Sequence, residues 1–389
     1  MATILEYMKF SLNVYKTSIE NEVGVPFGWN RTYWQPDLST GFSAGTFVKG
    51  NELVISFTGT NDLADKLNWT IGLPLPAPQL FQAIDFYFAA KAAHPGATNI
   101  TFTGHSLGGG LAALMAVYFN KHATVFDEAP FQLTAVNPII TAEIAAYMLL
   151  MGYSDDAFLI DYVQSPISTP LTREANVSHH YLEGEILDYP RYSFDTLEGS
   201  NPHEYDMGSS NATGVQLHSM ALMTAIESSA VFYEAVKKLP DLVSLMANGE
   251  LFGRNNNASE TDFLRNLLRH QFGLVTPEKT IIPDQMLTRF AVDMTKLAQD
   301  GGLTMKDTPD QAEGYSGNVS KALMAFAMQM YYEDTPAAKD ATKHLFTDVT
   351  GGVTFDMADV SQKILEAFTQ STPVELKEAK GYEIGRAHV

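Results

Sequence analysis

Residues 103 to 110 read Thr-Gly-His-Ser-Leu-Gly-Gly-Gly, and they directly follow the β-prone run from Asn99 to Phe102. The next residues, Leu107 to Asn120, are apolar and rich in alanine, which predicts a buried helix. The segment from Gly104 to Gly108 fits the pattern G-x-S-x-G, in which a tight turn between strand and helix holds a serine hydroxyl clear of the sheet. Ser106 is therefore a candidate nucleophile.

The glycines of this turn have a steric explanation. In so tight an elbow, side chains at positions 104 and 108 would collide with neighbouring elements, while His105 can occupy the variable position before the serine. The N-terminus of the following helix would point at the place where negative charge develops during attack on an acyl group. A chance glycine-rich turn is the plainer alternative, but the strand before it and the helix after it favour a catalytic elbow.

Strands and helices alternate around this turn, which predicts an α/β fold with a mainly parallel sheet and flanking helices. Beyond residue 228 helical patterns dominate. We therefore divide the chain into an α/β domain at 1–228 and a helical region of unknown role at 229–376. Residues 383–389, EIGRAHV, resemble the translation of a sequencing-library adapter and are excluded from the fold prediction.

Composition excludes several classes of function. The formal net charge is −20, with 25 Lys and Arg against 45 Asp and Glu, which argues against binding to nucleic acid or to anionic membranes by charge. The chain has no cysteine, so disulfide frameworks and thiolate chemistry are excluded. The sequence shows neither an N-terminal Sec-type signal nor an apolar run long enough to cross a bilayer.

Together with the segment VISFTGT at residues 54–60, the elbow resembles the class 3 lipases, an α/β-hydrolase family, over about residues 1–225. The segment VFDEAPF at 125–131 resembles a bacterial branch that includes lipases and phospholipases exported without a signal peptide. The resemblance implies that Ser106 is the nucleophile. It also implies that the backbone N–H groups of Thr60 and Leu107 form the oxyanion hole.

A serine nucleophile needs a histidine base and an acid that orients it, and in α/β-hydrolases they follow the serine in the order acid, histidine. His218, after a Gly/Asn/Ser loop and before an apolar helix, stands where class 3 lipases carry their histidine, and His203 is the alternative. The acid is expected at the end of a strand predicted over His180 to Leu187. Glu185 aligns with the aspartate of the family, a departure from its pattern, and Asp188 is the alternative.

The helix predicted from Ala142 to Met151 is apolar nearly all round, so it must be buried or contact something apolar. One interpretation makes it a cap over the acyl-binding site, with Ile144, Met148, Leu149 and Met151 as contact residues. The other makes it a core helix packed on the sheet.

The resemblance implies a serine carboxylic-ester hydrolase that acts on a lipid or acyl ester at an interface, as a triacylglycerol lipase or a phospholipase A1. The alternative is an effector or toxin module of a longer secreted protein whose helical region binds a partner. The chemistry requires no cofactor and no metal ligand is assigned, while a structural calcium ion stays open. We expect a bacterial protein that is either secreted without a signal peptide or cytoplasmic.

Overall fold

The computed structural model describes residues 2–16, 24–36, 40–59, 78–194, 202–208, 210, 212–238, 243 and 291. Seven strands form one sheet in chain order: β1 (Asn30–Gln35), β2 (Ala44–Lys49), β3 (Glu52–Phe57), β4 (Asn99–His105), β5 (His122–Phe126), β6 (Val177–Leu182) and β7 (His203–Tyr205). The first three strands are antiparallel, and β3 to β7 are parallel. The predicted mainly parallel sheet with flanking helices, of the α/β-hydrolase type, is confirmed.

Ten α-helices are described: α1 (Ile4–Asn13), α2 (Pro78–Ala93), α3 (Leu107–Phe119), α4 (Gln132–Ala135), α5 (Pro138–Met151), α6 (Ser168–Arg173), α7 (Asp188–Phe194), α8 (Gly214–Leu217), α9 (Met220–Ser228) and α10 (Ala230–Lys238). A π-helical turn at Ala157–Tyr162 and a 3₁₀ turn at Glu174–Asn176 complete the connections of this part of the chain. Within the described residues, no helix is both long enough and apolar enough to span a membrane.

The side chains of the central strand β4 alternate between polar and apolar, and successive side chains of a strand point to opposite faces of the sheet. Thr101 and Thr103 face α1, where they form hydrogen bonds with the hydroxyls of Tyr7 at 3.1 Å and Ser11 at 2.9 Å. Phe102 points to the other face, with its ring 5.7 Å from that of Tyr87 on α2. Helix α3 is buried from residue 108 to its last residue, so the strand and the helix that flank Ser106 both lie in the core.

Helix α5 is delimited by its own sequence. Asn137 caps it by accepting a hydrogen bond from the backbone N–H of Ile139 at 2.9 Å, Pro138 occupies the first turn, and Gly152 ends it with φ 73°. Its buried face follows helical spacing and consists of Ile140, Thr141, Ile144 and Met148.

The same helix exposes large apolar side chains at its ends, namely Ile139, Leu149, Leu150 and Met151, of which Leu150 is 82% exposed. The assignment of Ile144 and Met148 to a cap is therefore wrong, because both side chains pack in the hydrophobic core. Leu149 and Met151 are exposed instead. Because nearly every residue of this helix is apolar, its sequence gives no indication of which face is buried.

The chain divides into two compact units, one formed by Met1–Asp206 and Thr213–Thr224, the other by Met207–Ala212 and Ala225–Val389. The first unit contains the whole sheet and the residues of the candidate site. The predicted boundary at residue 228 lies within the second unit. Apart from positions 243 and 291, residues 239–376 and the adapter-like segment 383–389 lie outside the described residues.

Candidate active site

Ser106 stands in the turn between β4 and α3 with φ 59° and ψ −128°. A positive φ is costly for a residue with a side chain, so the surrounding structure must hold this backbone in place. It does so through hydrogen bonds: the N–H of Ser106 donates to the carbonyl of Phe126 at 3.0 Å, and its own carbonyl accepts from the N–H of Ala129 at 2.9 Å. The strained elbow therefore depends on the last residue of β5 and on the segment that follows this strand.

Gly104 and Gly108 are required by close backbone approach. A Cβ added at Gly104 would lie 2.3 Å from the carbonyl oxygen of Gly108, and one at Gly108 would lie 2.2 Å from the carbonyl oxygen of Phe57. Both neighbours are backbone atoms that a rotamer change cannot move. The sequence expectation for these two glycines agrees with the packing.

We expect Gly108→Ala to lower the free energy of unfolding by about 3 kcal/mol, because overpacking a rigid core forces backbone shifts. Urea denaturation would measure this change. The matched control is Gly96→Ala, where an added Cβ meets no atom within 4 Å, so stability should stay near that of the wild type. Equal stability of the two variants would contradict the close packing of the elbow.

His218 and Glu185 form a buried pair. Nδ1 of His218 lies 2.7 Å from Oε2 of Glu185, and both side chains are fully buried. His218 follows the short helix α8, which begins with a capping box formed by Thr213 and Gln216. With Nδ1 facing a carboxylate, Nε2 is the nitrogen left for a proton acceptor, and it has no hydrogen-bond partner among the described residues.

Glu185 does not lie on a strand. The predicted strand over 180–187 instead ends at Leu182, and Gly184 turns the chain with φ 77°. The N–H of Leu187 donates to Oε2 of Glu185 at 2.7 Å, so backbone and histidine bind the same carboxylate oxygen. Asp188, the alternative acid, begins α7 and accepts a hydrogen bond from the N–H of Gly184 at 3.1 Å. The structure therefore pairs His218 with Glu185 rather than with Asp188.

Arg191 completes the environment of the glutamate, and the sequence offered no signal for it. Its Nη2 contacts Oε1 of Glu185, and its Nη1 donates to the carbonyl of Glu128 at 3.0 Å. The guanidinium also lies 4.3 Å above the ring of Tyr181. Burial by itself would lower the pKa of Arg191, but the negative charges of Glu128 and Glu185 raise it above its ordinary value, so the cation is maintained.

This arrangement explains how a glutamate can stand where the resembling family has an aspartate. Glutamate has one more rotatable bond than aspartate, so its carboxylate can adopt more orientations. A carboxylate that orients a histidine must be held in one of them. Arg191 takes one oxygen of Glu185, while Leu187 N–H and His218 share the other. The carboxylate is thereby fixed in orientation towards the imidazole.

Asp127 is a further buried carboxyl at the site, and sequence analysis did not single it out. It follows β5 with φ 41°, and its Oδ1 accepts a hydrogen bond from the N–H of Leu182 at 3.0 Å. Its Oδ2 lies 3.7 Å from Nε2 of His105. Burial and the nearby charge of Glu185 raise the pKa of Asp127 well above its usual range.

His105 fills the variable position of the elbow with its ring turned inward. Its ring centroid lies 4.6 Å from that of His218, and its Nδ1 lies 3.4 Å from the hydroxyl of Tyr15. Burial lowers the pKa of His105 to about 4, so the ring is neutral near pH 7. His203, the alternative base, is exposed on β7 with its ring against those of His180 and Tyr205.

Only one of the two residues predicted to form the oxyanion hole lies within the described residues. Leu107 is the first residue of α3, so its N–H belongs to the positive end of a buried helix next to Ser106. Thr60 lies outside the described residues. The last described residue before it is Gly59, whose N–H donates to the hydroxyl of Tyr15 at 2.6 Å.

Comparison with known proteins gives a match to a family model and a match to one bacterial protein. Residues 15–193 match the model of the Tle-like phospholipase domain, a phospholipase-like family. The extracellular phospholipase A1 of Serratia liquefaciens is 38% identical over 94 residues, which are 24% of this chain and 29% of that protein. The chain thus spans less than a third of this relative's length.

Solved structures of low identity also match. The native Rhizomucor miehei lipase propeptide complex is 12% identical with a TM-score of 0.33, covering 52% of this chain and 67% of that one. A triacylglycerol lipase from Penicillium expansum is 13% identical with a TM-score of 0.31, covering 52% and 79%.

The domain match contains the elbow, Asp127, Glu185 and Arg191, and it ends before His218. The resemblance found in the sequence is confirmed by this match and by the phospholipase A1 segment. Residues 15–193 are therefore similar to a lipase and phospholipase A1-like family.

Proposed function

We propose that this protein is a serine carboxylic-ester hydrolase that acts on lipids through Ser106, His218 and Glu185. The observation that carries the proposal is the buried hydrogen bond between His218 and Glu185, in the same compact unit as a strained elbow serine. A fully buried histidine paired with a carboxylate, whose second nitrogen is unpartnered, is an arrangement suited to a general base.

In the proposed reaction, the hydroxyl oxygen of Ser106 attacks the acyl carbonyl while Nε2 of His218 takes the hydroxyl proton. The imidazolium keeps its other proton on Nδ1, donated to Glu185, whose negative charge stabilises it. The N–H groups of Leu107 and Thr60 bind the developing oxyanion. His218 then returns its proton to the leaving alcohol, which leaves an acyl group on Ser106.

Water then hydrolyses the acyl-enzyme, and His218 again acts first as a base and then as an acid. His218 takes a proton from the attacking water, the tetrahedral intermediate collapses, and the carboxylic acid leaves as Ser106 recovers its proton. All of these protons move between side chains and water, so we propose that no cofactor is needed. Hydrolysis that persists in buffer with a metal chelator would agree with this, and loss of activity there would contradict it.

The substrate class is proposed to be glycerolipids, with phospholipid cleaved at the sn-1 ester. Support comes from the phospholipase domain over residues 15–193 and from the name of the Serratia relative. The test compares triacylglycerol with phospholipids labelled separately at sn-1 and sn-2. Release of sn-1 acyl chains supports a phospholipase A1, whereas release from triacylglycerol only would make the protein a lipase. The same relative is extracellular and bacterial, and we propose a bacterial origin and secretion for this chain too.

A fluorophosphonate probe tests the nucleophile without knowledge of the natural lipid. Such probes phosphonylate a serine that a neighbouring base activates. Peptide mapping by mass spectrometry should locate the adduct on Ser106 and on no other serine. Absence of an adduct from folded protein would contradict the proposed mechanism.

The exposed end of α5 is proposed to contact the lipid surface. We expect Leu149→Asp to retain activity on short soluble esters and to lose most activity on emulsified long-chain esters. Leu149 is 68% exposed, so the substitution should not disturb the core. The matched control is Phe27→Asp, which changes an apolar side chain that is 99% exposed before β1. Equal losses on both kinds of ester, or the same loss in the control, would contradict the assignment.

A further inference from the structure

The candidate site contains three buried atoms that the proposed reaction leaves only partly explained. Nε2 of His105, Oδ2 of Asp127 and Nε2 of His218 are all buried, and none has a hydrogen-bond partner among the described residues. Buried polar atoms are normally paired, so an unpaired group needs an explanation such as a catalytic role or a position where an ion binds. His218 Nε2 has a role as the proposed base, but the other two atoms have none.

These residues converge on one point. One ligand atom from each of His105, Asp127 and His218 lies within 4.8 Å of the other two. His105 Nε2 and Asp127 Oδ2 are 3.7 Å apart. Two ligands at about 2.1 Å from a tetrahedral zinc ion are about 3.4 Å apart, so this pair needs to close by only a few tenths of an ångström.

The orientation of each group agrees with metal binding. His218 uses Nδ1 for Glu185, and His105 has Nδ1 next to the hydroxyl of Tyr15, so each ring has its Nε2 to offer. Asp127 is held by the hydrogen bond from Leu182 N–H to its other oxygen. Metal-ligating histidines commonly make such a second contact through the nitrogen that does not bind the metal.

The chemistry of the three ligand atoms also suits a metal ion. Asp127 lies near the carboxylate of Glu185, and Arg191, which pairs with Glu185, contributes the opposite charge there. Two imidazole nitrogens and one carboxylate oxygen suit Zn²⁺ or a related first-row divalent ion, whereas Ca²⁺ and Mg²⁺ prefer oxygen ligands.

We propose that His105, Asp127 and His218 form a site for a Zn²⁺-type divalent ion, and that its occupation blocks the hydrolase. The ion binds the lone pair of His218 Nε2, which then cannot accept the proton of Ser106. Zinc would act as a reversible inhibitor that competes with catalysis at the base itself. The inhibitory effect rests on the proposed function, but the binding of the ion does not.

The test measures binding and activity separately on the full chain after removal of metal by chelation. Isothermal titration calorimetry with Zn²⁺ should give one ion per chain, and esterase activity should fall in step with occupancy and return on addition of a chelator. Ser106→Ala should bind zinc as the wild type does, since the serine is not a ligand. Zinc binding without any esterase activity in the wild type would refute the proposed function while retaining the site.

Asp127→Asn should weaken zinc binding by at least about tenfold, because even groups that only orient metal ligands contribute about 10- to 100-fold to affinity. The control is His203→Asn, which removes an exposed imidazole whose ring lies 5.4 Å from that of His180 and should leave affinity unchanged. If Asp127→Asn does not fold, Co²⁺ replaces the variant: strong visible absorption typical of tetrahedral cobalt is expected in the wild type. Unchanged affinity in Asp127→Asn, or a Co²⁺ spectrum of the hydrated ion only, overturns the proposal.

Discussion

Ser106→Ala should lower kcat for ester hydrolysis by about five to six orders of magnitude, the loss typical when the serine of a Ser-His-acid triad is removed. The residue keeps its Cβ, so the strained turn with φ 59° is no more costly in alanine than in serine. The hydrogen bonds that hold the elbow involve the backbone of Ser106 and survive the change. Stability should therefore stay close to that of the wild type while activity disappears.

Hydrolysis of a p-nitrophenyl ester by the two proteins, each checked by circular dichroism and urea denaturation, measures this difference. Ser11→Ala is a suitable control, because Ser11 is a buried serine too and its hydroxyl forms a hydrogen bond with Thr103 at 2.9 Å. That variant should lose some stability and keep its kcat. If Ser106→Ala retains activity within about tenfold of the wild type, another group is the nucleophile.

The sequence predicted those parts of the candidate site whose geometry requires particular residue types close together in the chain. The elbow needs glycine at positions 104 and 108 because backbone atoms lie too close for a Cβ, and that need is visible as a pattern. The expected chain order of serine, acid and histidine comes from the pattern of the α/β-hydrolases. The first observation involves residues within a single turn, and the second involves only the order of residues along the chain.

Arg191 and Asp127 belong to no such pattern. Each is placed by contacts across the chain: Arg191 reaches the carbonyl of Glu128, 63 positions away, and Asp127 accepts a hydrogen bond from Leu182, 55 positions away. A lone arginine after a proline, or a lone aspartate after a strand, is common in solvent-exposed turns. The burial that makes these two side chains part of the site comes from tertiary packing alone.

Strand limits were also harder to predict than strand existence. The edge strands β1 and β7 were missed, since β1 is only partly buried and β7 has three residues. Strand β6 begins at Val177, three residues before the predicted start, and it ends at Leu182. Glu185 was therefore expected on a strand but lies in the turn that follows it, where Gly184 takes the positive φ.

The second large effect is expected for Glu185→Gln, which should lower kcat by about 10⁴-fold. The substituted side chain would have one amide oxygen and one NH₂ group in place of two equivalent oxygens. The charged Arg191 can only donate, so it attracts the amide oxygen, and the NH₂ group then faces Nδ1 of His218 and displaces the hydrogen bond from Leu187 N–H. Nδ1 must become the acceptor, the ring proton moves to Nε2, and the imidazole can no longer take a proton from Ser106.

The control is Asp188→Asn, because Asp188 accepts a hydrogen bond from the N–H of Gly184 and an asparagine oxygen can replace that acceptor. It should change kcat little. Glu185→Gln also removes the carboxylate charge that pairs with the buried cation of Arg191, and breaking a buried ion pair costs about 3–5 kcal/mol of stability, so both variants are assayed well below their unfolding temperatures. A larger loss of kcat in Asp188→Asn than in Glu185→Gln would make Asp188 the acid. Equal small losses would mean that His218 needs no carboxylate, and the buried pair would then serve stability alone.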